Sequence, residues 1–423
     1  MNYSQMSREA LVSEYKAVKE AYDAYLARGL ALDLSRGKPN TEQLDHSQEM
    51  LNQPRPKEEC FSESGIDCRN YGVLDGLPEM RRLFADLLGI APERVLIGGN
   101  SSLQMMYDAI SRAMLFGTPD SDVPWCEVKG RKWLCVTPGY DRHFAITEQM
   151  GFEMINVPMT EDGPDMDLVE QLVRDPLVKG IWCVPKYSNP TGNTYSDETV
   201  RRLAKMECAA RDFRIFWDNA YAVHDLGAEG DELLDIFVEA QKHGTADRIL
   251  AFCSTSKITF PGGGVAMLAA TERNLADVRA RMTVQTIGYD KLNQLRHVQY
   301  FGNAERVREH MQSLGAMIRR KFDIALAALH TLDGYGVAAY TQPRGGYFIS
   351  LDMRIGSASR VYELMREAGI VLTKVGATFP YGRDPEDKNL RLAPTYPSDE
   401  ELAVATEALC VAVRLAALEA LLA

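Results

Sequence analysis

The chain has 423 residues, 46% apolar and 25% charged, which suits a soluble globular protein large enough for two domains. With 47 basic residues against 59 acidic ones the formal net charge is −12, which argues against nucleic acid or an anionic membrane surface as a general partner. Any bound anion must therefore be met by a local cluster of donors or positive charge.

Residues 1–29 are predicted to form an exposed helix ending at Gly29. Residues 1–20 are too polar and charged for a signal peptide. Leu30 to Leu34 reads as a short strand, and Ser35-Arg36-Gly37-Lys38-Pro39 as a turn carrying two cations. After an irregular polar stretch over 40–70, Asn70-Tyr71-Gly72 leads through Gly76 and Pro78 into a helix running to about Leu88. Val95 to Ile97 is a strand, Gly98-Gly99-Asn100-Ser101-Ser102 a turn, and the apolar positions 103, 106, 107, 110, 113 and 114 have helical spacing. Strand, glycine turn and helix start together make an anion site, although a well-capped helix explains the same residues.

Further strands follow at Trp133–Val136, Gly151–Pro158, Gly180–Pro185, Phe213–Trp217 and Ile249–Cys253. Helices are predicted over Ser196–Asp212 and around Leu233–Lys242. Each strand end carries unusual polar residues, placing Ser101, Tyr140, Asn189, Asp218 and Lys257 along one edge of one mostly parallel sheet. From about residue 290 the pattern becomes a long helix, Asn303–Leu332, then strands at Val337–Tyr340 and Tyr347–Leu351 and a helix at Ser359–Ala368. The tail, Leu402–Ala423, is apolar but interrupted by Glu407, Arg414 and Glu419, and reads as an amphipathic helix too charged to span a bilayer.

The expected fold class is therefore α/β: a large domain with a mostly parallel, helix-covered sheet and a smaller α+β domain. The expected boundaries are 1–50 for an N-terminal arm and part of the small domain, 51–300 for the large domain and 301–423 for the small one. The eight cysteines form no C-x-x-C pair and no metal-type spacing, so reduced thiols, no metal and a cytoplasmic location are expected.

Lys257 follows an apolar strand and three hydroxyl residues, Ser254, Thr255 and Ser256, a set that suits a phosphorylated aldehyde. The hydroxyls bond the phosphate and the amine forms a Schiff base. A carboxylate at Asp218 keeps a pyridine nitrogen protonated, with His143 able to hold that carboxylate from behind. Tyr221 and Asn189 are placed to hydrogen-bond the ring oxygen, and Tyr140 to stack on the ring.

Seven motifs in order then carry a resemblance: Tyr-Gly-x-x-x-Gly at 71–76, Gly-Gly-Asn-Ser-Ser at 98–102, Pro-Gly-Tyr at 138–140, Asn-Pro-Thr-Gly at 189–192, Asp-x-Ala-Tyr at 218–221, Ser-x-Ser-Lys at 254–257 and Leu-Arg-Leu at 390–392. Over about residues 30 to 400 the chain resembles the fold-type I, class I pyridoxal-phosphate aminotransferases. Within them it is most similar to the bacterial aspartate aminotransferase group distinct from the better-known type.

The resemblance implies that Lys257 carries pyridoxal 5'-phosphate and that Ser101, Ser102, Ser254 and Ser256 hold its phosphate. It also implies that Tyr71 reaches the neighbouring subunit's phosphate, so that the active unit is a homodimer. Arg391 binds the substrate α-carboxylate, with Gly37, Lys38 and Asn189 lining that pocket. The implied reaction is a ping-pong transamination of an amino acid, by likeness L-aspartate, with a 2-oxo acid such as 2-oxoglutarate. A second cation for a distal carboxylate could be Arg36, Lys38, Arg142 or Lys291. Family members usually place an arginine on the phosphate where this chain has Gly264. A different amino donor, a pyridoxal-phosphate lyase and an effector-sensing domain without catalysis are alternatives on the same scaffold.

Overall fold

The computed structural model describes residues 2–55 and 57–423; Met1 and Pro56, both within stretches read from the sequence, lie outside them. In chain order the strands are β1 (Leu32–Asp33), β2 (Val95–Ile97), β3 (Lys132–Thr137), β4 (Glu153–Thr160), β5 (Gly163–Pro164), β6 (Val178–Cys183) and β7 (Arg214–Asp218). They continue with β8 (Ile249–Ser254), β9 (Ala266–Ala269), β10 (Ala338–Tyr340), β11 (Ile349–Met353), β12 (Ile370–Val371) and β13 (Asn389–Leu392).

Eight of these form one sheet in the order β2-β9-β8-β7-β6-β3-β4-β5. The pairs β4–β3, β3–β6, β6–β7 and β7–β8 are parallel, while β9 runs antiparallel between β8 and β2. Strand β2 therefore points the same way as β8. The strand ends at residues 98, 138, 184, 219 and 255 consequently share one edge, as the polar strand ends in the sequence require.

Strands β6, β7 and β8 are buried along their whole length, which is why they read as unbroken apolar runs. Alternate side chains feed two cores. Trp133, Trp182, Phe216 and Phe252 pack on one face, with Trp133 5.3 Å from Trp182 and 5.1 Å from Phe216. Ile181, Ile215, Trp217 and Cys253 enter the other.

A second, antiparallel sheet, β10-β11-β13, sets Arg391 opposite Ser350. Parallel pairing of β1 with β12 ties the turn at residues 35–39 to this part of the chain. The helix Ala304–Leu329 supplies much of the covering core.

Several helices depart from the sequence expectation. The tail helix, Asp399–Leu422, is buried on nearly all sides instead of presenting a polar face to water. It packs among Arg8–Leu26, Ala304–Leu329 and Ala358–Glu367, and its charges find partners: Arg414 bonds Tyr3 and Glu14, and Glu419 bonds Arg360. The helix expected to run to Asp212 ends at Lys205. Asp212 is instead drawn inward by Lys179 at 2.8 Å and the Trp125 indole at 2.8 Å. The helices Thr41–Asp45, Asp141–Gln149, Met166–Leu172, Glu272–Gln285 and Lys291–Phe301 have no counterpart in the sequence expectation.

Candidate active site

The strand ends surround a cavity of about 230 Å³. Ser101 and Ser102 line it from the start of the helix Ser102–Phe116, and Ser254, Ser256 and Lys257 from the end of β8. Asp218, Tyr221, Asn189 and Tyr140 complete the polar wall.

Asp218 closes β7 and is 2% exposed. Its Oδ2 lies 2.9 Å from His143 Nε2, and that imidazole stacks on Trp182 at 4.3 Å and 9°. The other oxygen, Oδ1, is buried without a hydrogen-bond partner. An unpartnered buried carboxylate oxygen is costly, so it marks a place where a donor is needed.

Lys257 ends the short turn Thr255–Lys257, with its ammonium 4.8 Å from the Tyr221 ring centroid. Burial lowers its pKa, against the raising effect of Asp218. Burial, with Tyr140 and Asp218 nearby, holds the Tyr221 hydroxyl well above the ordinary tyrosine value, so it remains a hydrogen-bond donor. Tyr140 is pushed up to about 12, by burial first and then by Asp141 and Asp218.

The hydroxyls of Ser254 and Ser256 lie 3.1 Å apart, and Ser256 donates to the Asn100 carbonyl at 3.1 Å. Opposite them, the first N–H groups of a 15-residue helix emerge at Ser102, capped by Ser101, whose Oγ accepts from Gln104 N at 3.4 Å. Lys257 is the only cation among the residues lining the cavity. Gly264 leaves no room for a side chain here: a Cβ would meet the Asn100 carbonyl at 2.6 Å and Ser256 Oγ at 3.1 Å. The arginine expected by resemblance is thus replaced by close backbone packing, and the helix N-terminus with its serines is left to meet an anion.

Arg391 is 9% exposed on β13. Its Nη1 lies 2.7 Å from Asp141 and 3.5 Å from Asn189 Oδ1, the guanidinium is 5.1 Å over Phe348, and its Nε is buried without a partner. Gly37 is needed beneath it, because a Cβ there would fall 2.0 Å from the Phe348 ring.

Four predicted residues do not line the cavity itself: Arg391, which reaches its wall at Asn189, Gly37 beneath the Phe348 ring, Lys38 and Tyr71. Lys38 sets its ammonium 4.3 Å over the Tyr396 ring, and Tyr71 stands 81% exposed. Of the other proposed cations, Arg36 pairs with Asp33 at 2.9 Å and Lys291 is buried on the Gly72 carbonyl at 3.0 Å. Arg142 is exposed and makes no ion pair among the described residues. Sequence reasoning missed Asp141, although it sits inside the Pro-Gly-Tyr-Asp run. It also missed Phe348, which only the register of β11 and β13 brings near.

A lysine and a carboxylate at adjacent strand ends of such a sheet, lining one cavity, fit the fold-type I enzymes, a class shared by aminotransferases and lyases. Residues 6–423 match the family model described as aspartate amino-transferase, and the chain belongs to that family. An aspartate aminotransferase of Corynebacterium glutamicum is 50% identical over 406 residues, covering 96% of this chain and 94% of that protein. A putative aminotransferase of Mycolicibacterium smegmatis is 47% identical over 425 residues, covering 100% and 99%. The crystal structure of an aspartate transaminase from C. glutamicum matches with a TM-score of 0.97 at 48% identity, covering 99% of each chain. The α-aminoadipate aminotransferase LysN of Thermus thermophilus, solved with N-(5'-phosphopyridoxyl)-L-leucine, has a TM-score of 0.74 at 23% identity, covers 95% of each chain and shares the fold.

The chain is accordingly an aminotransferase, which sets aside the lyase and the effector-sensing domain. Aminotransferases of this fold depend on pyridoxal phosphate, and the donor set here fits that group. The free Oδ1 of Asp218 suits a protonated ring nitrogen, the lysine suits an aldehyde, and the serines at the helix start suit a phosphate.

Proposed function

We propose that the chain transfers the amino group of L-aspartate to 2-oxoglutarate with pyridoxal 5'-phosphate held on Lys257. The observation that carries this reading is the single cavity lined by Lys257 and Asp218, whose Oδ1 is buried without a partner.

Bound there, the cofactor supplies an electron sink for the pair left when the substrate loses its Cα proton. Asp218 would hold the ring nitrogen at Oδ1, while His143 fixes Oδ2 and keeps the carboxylate aimed. Lys257 Nζ takes the Cα proton as general base, and the burial that lowers its pKa favours the free amine this requires. Tyr221 and Asn189 would donate to the ring oxygen, and Tyr140 would lie against the ring.

Ser101, Ser102, Ser254 and Ser256 bind the phosphate with the N–H groups of the helix at Ser102. Arg391 takes the α-carboxylate through its free Nε, with Asp141 and Phe348 holding the guanidinium in place. Tyr71, exposed on a single chain, serves the active site of a second copy, so the working unit is a homodimer in the cytoplasm. Among the described residues no helix is long and apolar enough to cross a membrane.

Support for aspartate as donor comes from the names of the most similar relatives. Comparison of kcat/KM for aspartate, alanine and phenylalanine, each with 2-oxoglutarate, tests it. A clear preference for aspartate is expected, and equal values for the three would overturn the assignment.

A further inference from the structure

Lys257 stands on a turn whose backbone is left short of donors. In a continuing helix the Lys257 carbonyl would accept from the N–H of residue 261, but that residue is proline and has none. The next carbonyl, of Ile258, also loses its helical partner, because the chain closes instead on Phe260, whose carbonyl accepts from Gly263 at 3.1 Å. Buried carbonyls must find donors elsewhere.

Three imidazoles from three separate elements grip this turn. His224 Nε2 lies 3.2 Å from the Lys257 carbonyl, and His310 Nε2 lies 2.9 Å from the Ile258 carbonyl. A carbonyl only accepts, so both rings carry their proton on Nε2. His297, on the helix Lys291–Phe301, donates from Nδ1 to the Asn293 carbonyl at 2.8 Å. The lone pair of its Nε2 then faces the hydroxyls of Thr255 at 3.0 Å and Thr259 at 2.9 Å and accepts from one of them. Residues 255, 257, 258 and 259 are thus each held by one of these rings, while His224 Nδ1 is buried without a partner.

We propose that His224, His297 and His310 are positioning residues for Lys257, holding its turn so that the amine stays aimed into the cavity. His224, which bonds the carbonyl of Lys257 itself, is the most direct of the three. Burial pushes its imidazole down to about 3, with Lys257 adding to the effect, so the ring stays neutral. The inference rests on Lys257 being the residue that carries the cofactor.

The test compares wild type, His224→Leu, His224→Gln and Lys257→Ala. Two readouts are followed: the rate at which apoenzyme captures added pyridoxal phosphate as a lysine-bound chromophore, and kcat against KM for aspartate. His224→Leu should slow capture and lower kcat by on the order of 10²-fold, with KM within about twofold, since misplacement by an ångström has effects of that size. His224→Gln, whose amide N–H can reach the same carbonyl, should recover most of both. A His224→Leu variant with wild-type capture and kcat, or Leu and Gln variants equally impaired, would overturn the proposal. If His224→Leu does not fold, the same pair of substitutions at the half-buried His310 decides between these outcomes by the same criteria. If Lys257→Ala still forms the lysine-bound chromophore, the cofactor assignment itself fails. If that variant loses the chromophore while His224→Leu matches wild type, only the positioning role fails.

Discussion

Acidifying the apoprotein from pH 7.5 to 5 should destabilise it, and His297 shows by how much. Burial pushes this imidazole down from its ordinary 6.5 to about 4, with Arg296 adding to the effect and the Asn293 carbonyl opposing it. The unfolded chain takes up this proton near pH 6.5, whereas the folded chain resists it until about pH 4. The associated stability is therefore complete above about pH 6.5 and is lost progressively as the pH falls toward 4. For this one ring the loss is about 2 kcal/mol by pH 5 and about 3 kcal/mol once the folded ring protonates.

His310, pushed down to about 4 by burial and by His46, adds a loss of the same sign. Carboxylates respond at lower pH. The Leu177 amide and the Lys132 ammonium, for example, hold Asp175 below its ordinary 3.8. Between pH 6.5 and 5 the loss thus comes chiefly from His297 and His310. Thermal midpoints of apoprotein at pH 7.5, 6 and 5 measure the effect in wild type and in His297→Gln. The wild-type midpoint should fall steadily, and the variant's should fall less. A flat wild-type profile, or an undiminished fall in the variant, would refute the reasoning.

Gly264→Ala should cost about 1–3 kcal/mol, because its methyl is driven into the Asn100 carbonyl. Pyridoxal phosphate should also bind more weakly as the Ser101 turn is displaced, and an unchanged midpoint and affinity would count against the close packing. Arg391→Lys should lower kcat/KM for the amino acid by roughly 10- to 100-fold through loss of the planar fork, with cofactor binding retained. Steady-state kinetics beside a cofactor titration separate the two. Asp218→Asn preserves shape but not charge, and should reduce transamination by on the order of 10²-fold or more without unfolding the chain. Single-turnover absorbance with aspartate would expose a variant that retained full speed.

The sheet was legible because parallel strands buried on both faces leave unbroken apolar runs, and because their ends carry residues that serve no core. Asp218 after Phe216-Trp217 and Lys257 after Phe252-Cys253 stand out for that reason. The tail helix was misread because Arg414 and Glu419 look like a solvated face until Glu14 and Arg360 are brought against them from distant parts of the chain. The three histidines around Lys257 left no trace either. They lie on separate elements, and all three bond backbone carbonyls, which no side-chain motif records. Gly264 could be noticed as a departure, but only the proximity of the Asn100 carbonyl explains it.

The most direct test is chemical. Borohydride reduction of the enzyme reconstituted with pyridoxal phosphate, followed by proteolysis and mass mapping, locates the attached group. The pyridoxyl label should fall on the peptide containing Lys257 and vanish from that peptide when aspartate is added before the reductant. A label on any other lysine, or one at Lys257 indifferent to aspartate, would contradict the assignment of this cavity as the seat of transamination.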